Sequence, residues 1–388
     1  MGALDGLKVV EAGLLVQGPQ AAATLAEWGA DVIKIELPGV GDQSRWLPVQ
    51  PGDPRSAYFI GCNRGKRSVT ADLRTPDGRE VFLRLAEWAD VVITNFAPGT
   101  MDQWQLGYDA VAARNPRIVY AAGSTFGTEG ANARREGADL SGQAAGGLIS
   151  TTGRAGQEVT PIGATIADHT AAQNLVGGIL AALYARERTG VGQRVATSLL
   201  GGQIWAQASE YTGCFLRGAP AGRANRGHPL IPGLYGIFRT ADGWIAVVGV
   251  VGALRTTFFE VVGRPEYSER FAQPLYWDDE KNALWPLLDD AFAADTTAGW
   301  CARLKEAGLR HAPVRNHAEV IADPDTWANG YFVNVDGIDA VAAPVDFSAT
   351  PARTSVVAPE LGQHTEEVLI EIGYSWDDIA RLQDARAI

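Results

Sequence analysis

Hydrophobic and polar positions alternate along the first part of the chain in a way that predicts strands and helices in turn. Residues 7–12 (LKVVEA) and 30–36 (ADVIKIE) are short apolar runs, and the residues between them have helical spacing until Gly29. A strand, a helix and a strand within about 30 residues form a βαβ unit, whose strands are parallel. The turn after the first strand (AGLLVQGPQ) lacks the GxGxxG pattern, which argues against NAD or FAD binding, although Glu36 stands where a ribose-binding acid would.

The same alternation continues to residue 124. Thr75, Pro76 and Asp77 favour the start of a helix that runs to Trp88, because they combine an N-cap, a proline and an early acid. A strand at 91–95, a helix at 108–114 and a strand at 117–124 follow. The pattern predicts an α/β fold, an open sheet with helices on both faces. Ligands of such sheets bind beyond the carboxyl ends of the strands.

Residues 161–190 predict a long helix that begins near Asp168. Apolar residues recur at helical spacing behind it, and Gly190 is a natural C-cap. A carboxylate at a helix N-terminus is stabilised as an anion by the peptide dipoles, so we expect Asp168 to be ionised. Such a carboxylate can cap the helix or serve as a nucleophile, and the pattern alone leaves both roles open.

The second half of the chain changes in character. Residues 124–166 are rich in small residues and predict a loop near a site, and 217–232 predict a linker. An Asp-Gly turn at 242–243 lies between two alternating apolar runs, which predicts a hairpin in a small α+β domain, residues 233–324. Residues 325–388 contain strand-like pieces (YFVNVD and APVDF) and a predicted final helix near 364–372.

Composition narrows the possible partners. The 388 residues carry a net charge of −12, which argues against a nucleic-acid partner, and no apolar run approaches the roughly 20 residues of a membrane span. The N-terminus does not have the pattern of a secretory signal. The three cysteines are far apart, which predicts neither a zinc site nor a disulfide framework and suits a reducing cytoplasm. The basic run at 63–68 (NRGKRS) is the best candidate for binding an anionic ligand.

Several segments of the chain are long and distinctive: LDGLKVVEAG, GADVIKIELPGVGDQSR, NRGKRSVTADLRTPDGRE, ADVVITNFAPGTMDQWQLGYD, NPRIVYAAGSTFG, IADHTAAQNLVGGILAALYARERTGVGQRVATSLL, TADGWIAVV and APELGQHTEEVLIEIGY. Together they resemble the family III CoA-transferases, the group that includes formyl-CoA transferase, carnitine CoA-transferase and alpha-methylacyl-CoA racemase. The resemblance covers nearly the whole chain and implies a large doubly wound, Rossmann-like domain, a small α+β domain and an interlocked, ring-like homodimer. It also implies that residues 325–388 return to complete the large domain of residues 1–216.

The resemblance also implies an activity. In the transferases of this family, an aspartate at the position of Asp168 attacks the donor acyl-CoA and forms a mixed anhydride, and the CoA then passes to a free carboxylic acid. CoA thioesters are substrates, and no cofactor is expected to be bound permanently. Gln17 matches a position in the active-site turn of formyl-CoA transferase. It either holds the acyl group or is a polar loop residue.

The CoA site is expected at three places that match the family. Arg74, with Lys66 and Arg67 nearby, is expected to face the CoA phosphates, although Lys66 and Arg67 could instead form a solvated turn. Asn95 and Phe96 match the family's Asn-Phe pair, and Phe96 is expected to pack on pantetheine or adenine. Two arginines common to relatives are replaced here by Leu37 and Gln103, which weakens the expected phosphate contacts.

The resemblance leaves several activities to compare. Racemases of the family need an acid and a base and carry a His-Asp pair where this chain has Ala138 and Asp139, so transfer is favoured. Asp139 either orients Asp168 or the acceptor, or caps the helix that begins near it. His169 is a poor substitute for the missing histidine, since helix neighbours point about 100° apart, and we expect it at solvent or an interface. Intramolecular CoA migration and a non-catalytic CoA-binding protein remain alternatives.

Overall fold

The computed structural model of the protein describes residues 1–231, 233–271 and 278–388, and the side chains of 278–281 are outside the description. The described chain forms two compact units. The first contains Met1–Gly146, Gly163–Ala206 and Pro324–Ile388, and the second contains Gly147–Ile162 and Gln207–Asp323. Residues 147–162 and 207–216, which the sequence pattern places in the large domain, therefore group with the second unit. Pro232, in the predicted linker, and residues 272–277 of the predicted small domain lie outside the described residues.

The first unit is built on a parallel sheet. Its six strands have the order β3-β2-β1-β4-β5-β6, which is the order of a doubly wound fold and confirms the predicted fold class. The strands of the described chain are β1 Lys8–Ala12, β2 Asp31–Glu36, β3 Arg67–Thr70, β4 Val91–Thr94, β5 Val119–Ser124, β6 Gln193–Ser198, β7 Leu234–Arg239, β8 Trp244–Val250, β9 His311–Pro313, β10 Phe332–Val335 and β11 Ile338–Val341.

Helices cover both faces of this sheet. The helices of the described chain are α1 Gln17–Glu27, α2 Ala57–Asn63, α3 Pro76–Trp88, α4 Thr100–Gln103, α5 Tyr108–Arg114, α6 Asp139–Ala145, α7 Leu148–Thr151, α8 Ile166–Thr189, α9 Leu199–Ala206, α10 Ala208–Arg217, α11 Leu254–Val261, α12 Tyr267–Arg270, α13 Asp278–Phe292, α14 Thr297–Glu306, α15 His317–Ile321, α16 Pro324–Ala328, α17 Thr365–Glu371 and α18 Trp376–Asp384.

The two faces have separate cores. Val9 of β1 packs with α1 and α8 on one face, whereas its neighbour Val10 packs with α3, α5, α17 and α18 on the other. Successive strand residues point to opposite faces, so the apolar residues of these strands contribute to both cores. The predicted long helix is α8, and Gly190 at its end has the left-handed φ of +73° that a C-cap glycine adopts.

The second unit contains the antiparallel sheet β7-β8-β9 and confirms the predicted hairpin at Asp242-Gly243. The described part of the predicted linker has no helix or strand beyond the end of α10 at Arg217. It is nevertheless tied to the second unit, because Arg226 makes a double ion pair of 2.7 Å with Asp289 of α13.

Three local predictions differ from the structure. YFVNVD does form a strand, β10, but APVDF does not. Helix α18, which begins with a cap by Ser375, was not predicted. The predicted basic run at 63–68 overlaps the edge strand β3, which begins at Arg67 and was not predicted.

Candidate active site

The carboxyl edge of the parallel sheet carries Gln17. This residue begins α1, directly after the turn that leaves β1, and its side chain is buried. Its Nε2 atom donates a hydrogen bond to the carbonyl oxygen of Ser124, at the end of β5, over 3.4 Å. A Cβ atom on Gly123 would lie 2.3 Å from Oε1 of Gln17, so the glycine leaves room for the amide. Gln17 therefore reaches across the sheet edge from β1 to β5, past β4.

Asp168 lies at the same edge, in the first turn of α8, the helix that precedes β6. Helix α8 packs against α1, whose first residue is Gln17. The Asp168 side chain is half-buried, and burial together with the negative charge of Asp139 raises its pKa from 3.8 to about 7. This differs from the expectation that the helix N-terminus keeps the carboxylate ionised, because burial and the charge of Asp139 both favour the neutral form.

Asp139 explains part of this shift. Its Oδ1 atom accepts hydrogen bonds from the backbone N–H groups of Ala167 and Asp168, at 2.7 and 3.1 Å, and Gln143 donates to its Oδ2 atom at 2.6 Å. Asp139 thus caps α8, which is distant in sequence, rather than the helix α6 that it begins. The two N–H groups that could stabilise an ionised Asp168 are already bound to another carboxylate.

Asn95 supports the β1–α1 turn. Its side-chain amide donates to the carbonyl oxygen of Leu14 and accepts from the Leu14 N–H, both over 2.8 Å. Asn95 does not line the cavity at the carboxyl ends of β1, β2 and β3, whereas the next residue, Phe96, does. The structure therefore gives Asn95 a role in holding the turn.

A cavity of about 230 Å³ opens at the carboxyl ends of β1, β2 and β3. Its walls are mostly apolar, and it also contains Arg74, whose exposed guanidinium forms a double ion pair with Asp72 at 2.8 Å. A cavity with apolar and aromatic walls and one exposed cation suits a ligand that combines a flat ring with an anionic group. The side chains that form most of the wall are Leu14, Ile35, Leu37, Val40, Leu73, Phe96 and Trp104.

Leu37 and Gln103, which replace two arginines common to relatives, differ in position, since only Leu37 lines this cavity. Leu37 is part of the wall and adds apolar surface where an arginine would add charge. Gln103, at the end of α4, is exposed and does not line it. The cavity consequently has Arg74 as its one cationic lining residue among those the structure describes.

Lys66 and Arg67 do not fit the predicted phosphate site. Lys66 is fully buried, and its ammonium binds Glu11 at 2.8 Å and the carbonyl oxygen of Pro19 at 2.9 Å. Arg67 begins β3 at the amino edge of the sheet, and its guanidinium binds Asp31 and Glu371. The prediction that Lys66 and Arg67 face the CoA phosphates is therefore wrong for both residues. The ammonium of Lys66 is enclosed by protein, and Arg67 lies at the edge of the sheet opposite the cavity.

The structure also shows where the two residues that bear on racemisation, Ala138 and His169, are located. Ala138 is exposed at the N-cap of α6, and nothing in its side chain can carry a proton. His169 is half-buried rather than at solvent, and it lines a different cavity of about 470 Å³ with residues of α1 and α2. Burial lowers the pKa of His169, although the charge of Asp139 acts in the opposite direction.

Sequence reasoning missed the residues that hold Gln17 in place. Gly123 and Ser124 carry no signal beyond lying at a strand end. A signal did exist for Lys34, because a lysine in the middle of an apolar strand is almost never buried without partners. In the described part of the chain, no cluster of three or more metal-ligating side chains occurs, and no helix has the length and apolar character of a membrane span.

Comparison of the whole chain with known proteins shows which family it belongs to. Residues 4–365 match CoA-transferase family III. The chain is 33% identical to succinyl-CoA:mesaconate CoA-transferase of Haloarcula hispanica, over 96% of this chain and 97% of that protein, and 32% identical to human alpha-methylacyl-CoA racemase, over 100% and 97%. A solved CAIB/BAIF family protein from Brucella suis matches with a TM-score of 0.86 and 33% identity, over 96% of this chain and 99% of that one. The chain therefore belongs to CoA-transferase family III.

Proposed function

We propose that the protein transfers CoA from an acyl-CoA to a free carboxylic acid, with Asp168 as the nucleophile. The observation that carries the proposal is the position of Asp168, half-buried in the first turn of α8 at the sheet edge where Gln17 reaches the end of β5. A carboxylate with a pKa of about 7 is ionised in a useful fraction at neutral pH and is poorly solvated, and both properties favour attack.

The proposed reaction has four steps and no net change in protons or electrons. An Asp168 oxygen attacks the thioester carbonyl, and the C–S bond breaks to give an acyl-aspartyl anhydride and CoA thiolate. The thiolate attacks the aspartyl carbonyl, which releases the donor acid and leaves an aspartyl thioester. The acceptor carboxylate attacks that thioester, and the thiolate leaves again. Attack of the thiolate on the acceptor's carbonyl then gives the new acyl-CoA and restores Asp168.

Gln17 is proposed to act at the oxyanion of these steps or on the acyl group. Its amide is buried, and one N–H is directed to Ser124. An amide donor fixed before the reaction stabilises negative charge at little reorganisation cost. Asp139 is proposed to orient α8 and to set the pKa of Asp168 through its charge.

The CoA nucleotide is proposed to occupy the cavity at the ends of β1, β2 and β3. Phe96 and Trp104 would face the adenine or pantetheine, and the exposed Arg74 would exchange its half-buried partner Asp72 for a phosphate. An ion pair at the surface contributes little, so this exchange costs little. Members of the family use CoA thioesters as substrates, and we expect no permanently bound cofactor.

A racemase remains the second candidate, because human alpha-methylacyl-CoA racemase is among the relatives. Ala138 argues against it, since one of the two proton carriers is missing. The test is incubation in D₂O with 2-methylacyl-CoA, succinyl-CoA and free acids, followed by mass spectrometry of the thioesters. A new CoA thioester without deuterium at the α-carbon supports transfer. Deuterium at the α-carbon without exchange would replace it by racemisation.

Assembly and location complete the proposal. Phe215 and Leu216, at the end of α10, are each 83% exposed, and adjacent exposed apolar side chains favour self-association. We propose a homodimer, which light scattering on the purified protein tests, and a monomeric mass at micromolar concentration would contradict it. The cytoplasmic location expected from the cysteine pattern is tested by cell fractionation.

A further inference from the structure

A buried ion network lies beneath the turn that carries Gln17. The ammonium of Lys34 has no exposed surface and lies 2.9 Å from Oε1 of Glu11 and 2.8 Å from Oδ2 of Asp42. The same ammonium donates to the carbonyl oxygen of Gly13, at the start of the turn, over 3.0 Å. One side chain therefore connects β1, β2, the turn and the segment after β2.

A second lysine holds the other end of the turn. Lys66 binds Oε2 of the same Glu11 at 2.8 Å and donates to the carbonyl oxygen of Pro19 at 2.9 Å. The two ammonium groups thus share one carboxylate and bind backbone oxygens before and after Gln17. The turn from Gly13 to Pro19 is clamped at both ends by charge.

The middle of the turn is held in an unfavourable backbone conformation. Leu15 has a φ of +64°, a left-handed value that costs a residue with a side chain on the order of 1 kcal/mol. Its N–H donates to Oδ1 of Asp42 over 3.1 Å, and Asp42 is in turn bound to Lys34. The network therefore fixes the residue whose backbone sets the direction in which Gln17 leaves the turn.

Stability alone does not explain this network. Burial lowers the pKa of Lys34, but the charges of Glu11 and Asp42 outweigh burial and raise that pKa above its ordinary value, so the group stays charged. Buried ion pairs are often no more stabilising than apolar side chains of the same volume. A set of charges enclosed at the active-site edge is better explained by the geometry that it imposes.

We propose that Lys34 is a positioning residue for CoA transfer, holding the β1–α1 turn so that the Gln17 amide faces the end of β5. This inference rests on the proposed function, since it assigns Lys34 a role through Gln17. Lys34 itself, with no exposed surface, does not touch substrate.

The test is a double-mutant cycle on the purified full-length enzyme with its best acyl-CoA and acid. Lys34→Met is expected to lower kcat by roughly tenfold or more, because small displacements of a positioned group have effects of that size. KM for the acyl-CoA should change little. In a Gln17→Ala enzyme, Lys34→Met should lower kcat by less than about twofold, since the group that it positions is gone.

A matched control separates positioning from loss of stability. Arg186 is a buried cation paired with Asp90 at 3.0 Å, at the amino edge of the same sheet. Arg186→Met should lower the melting temperature, as Lys34→Met does, and leave kcat unchanged. If Lys34→Met does not fold, Asp42→Asn replaces it, because it keeps the side-chain volume and an acceptor for the Leu15 N–H while it removes the ion pair between Lys34 and Asp42.

The outcomes are distinct. Equal losses from Lys34→Met in the wild-type enzyme and in the Gln17→Ala enzyme would overturn the positioning role in a protein that still transfers CoA. A Gln17→Ala enzyme with unchanged kcat would overturn it as well. A wild-type enzyme without Asp168-dependent exchange would overturn both this inference and the proposed function.

Discussion

The carboxylate of Asp139 accepts a hydrogen bond from the backbone N–H of Asp168 at 3.1 Å, while its charge opposes ionisation of the Asp168 side chain. The helix N-terminus therefore does not act on Asp168 as an isolated helix would. Its N–H groups stabilise Asp139, and Asp168 is left half-buried beside that charge. The arrangement leaves Asp168 with an anionic form that is poorly stabilised, which suits the proposed role as a nucleophile.

The first prediction concerns pH. In the proposed reaction the attacking form of Asp168 is the anion. Because the pKa of Asp168 is raised to about 7, kcat/KM for the acyl-CoA should fall about tenfold per pH unit below that value. Asp139→Asn removes the neighbouring charge and should move this acid limb to lower pH. Burial, the larger cause, remains, so the limb should stay above the ordinary pKa of 3.8.

The measurement is kcat/KM from weakly acidic to weakly alkaline pH for both enzymes, in buffers of constant ionic strength. An acid limb at the ordinary aspartate pKa in the wild type would contradict the raised pKa. A limb that does not move in Asp139→Asn would show that the charge of Asp139 does not reach Asp168.

The second prediction concerns stability. A carboxyl group whose pKa is raised on folding stabilises the protein below its unfolded pKa and loses that contribution as the pH rises to the folded value. The rise from 3.8 to about 7 corresponds to at most roughly 4 kcal/mol. Asp168→Asn should therefore raise the free energy of unfolding by about 1–4 kcal/mol at about pH 8 and by much less at about pH 4, while it abolishes transfer.

Urea unfolding of both proteins at the two pH values checks this prediction. A loss of stability in Asp168→Asn at the higher pH would mean that the Asp168 carboxylate is well stabilised in the folded protein. That result would contradict the electrostatic description of the site.

The third prediction concerns Gly123. A methyl group at this position would meet Oε1 of Gln17 at 2.3 Å, and a flexible side-chain end can move aside. Gly123→Ala should leave folding nearly intact and lower kcat roughly tenfold by displacing Gln17. Gly177, inside α8 with open space around it, is the matched control, and Gly177→Ala should stabilise the protein by about 0.5–1 kcal/mol without a kinetic effect.

Steady-state kinetics and thermal unfolding of the two variants provide the comparison. Unchanged kcat in Gly123→Ala would show that the position of the Gln17 amide is not important for the reaction.

The fourth prediction compares Arg74, which lines the proposed CoA site, with Arg67, which lies at the opposite edge of the sheet. Arg74→Ala should raise KM for the acyl-CoA about tenfold, equivalent to about 1.4 kcal/mol for a lost phosphate contact, with kcat unchanged. Arg67→Ala should not change KM, because the Arg67 guanidinium lies at the amino edge and binds Asp31 and Glu371. The reverse order of effects would place the CoA phosphates at the other edge of the sheet.

Much of the fold could be predicted from local pattern. The apolar strands of the parallel sheet and the capped helices, such as α3 with Thr75, have periodic or chemical signals along the chain. The segment 124–166, predicted as a loop, contains the short helices α6 and α7. The bounds of these helices could not be predicted, because small residues give no hydrophobic periodicity. The edge strand β3 was not predicted, because its first residues belong to a basic run and lack the apolar character of the other strands.

The site was predictable to a smaller extent. Asp168 lies at a predicted helix start and Gln17 lies in the predicted turn after the first strand, so the positions of both follow from the order of strands. The family resemblance offered contact with Asp168 as one alternative for Asp139. Local pattern could not decide between the alternatives, because the contact joins residues of two different helices. Lys66 was misplaced for a related reason, since a lysine next to charged residues in sequence suggests solvent, while the fold encloses it with Glu11.

The central claim is covalent attack by Asp168, and trapping tests it most directly. The enzyme is mixed with acyl-CoA, quenched with hydroxylamine or borohydride, digested and analysed by mass spectrometry. We expect Asp168 to be converted to its hydroxamate or alcohol, and no such product in Asp168→Asn. A modification on another residue, or transfer of CoA without any enzyme adduct, would contradict the claim.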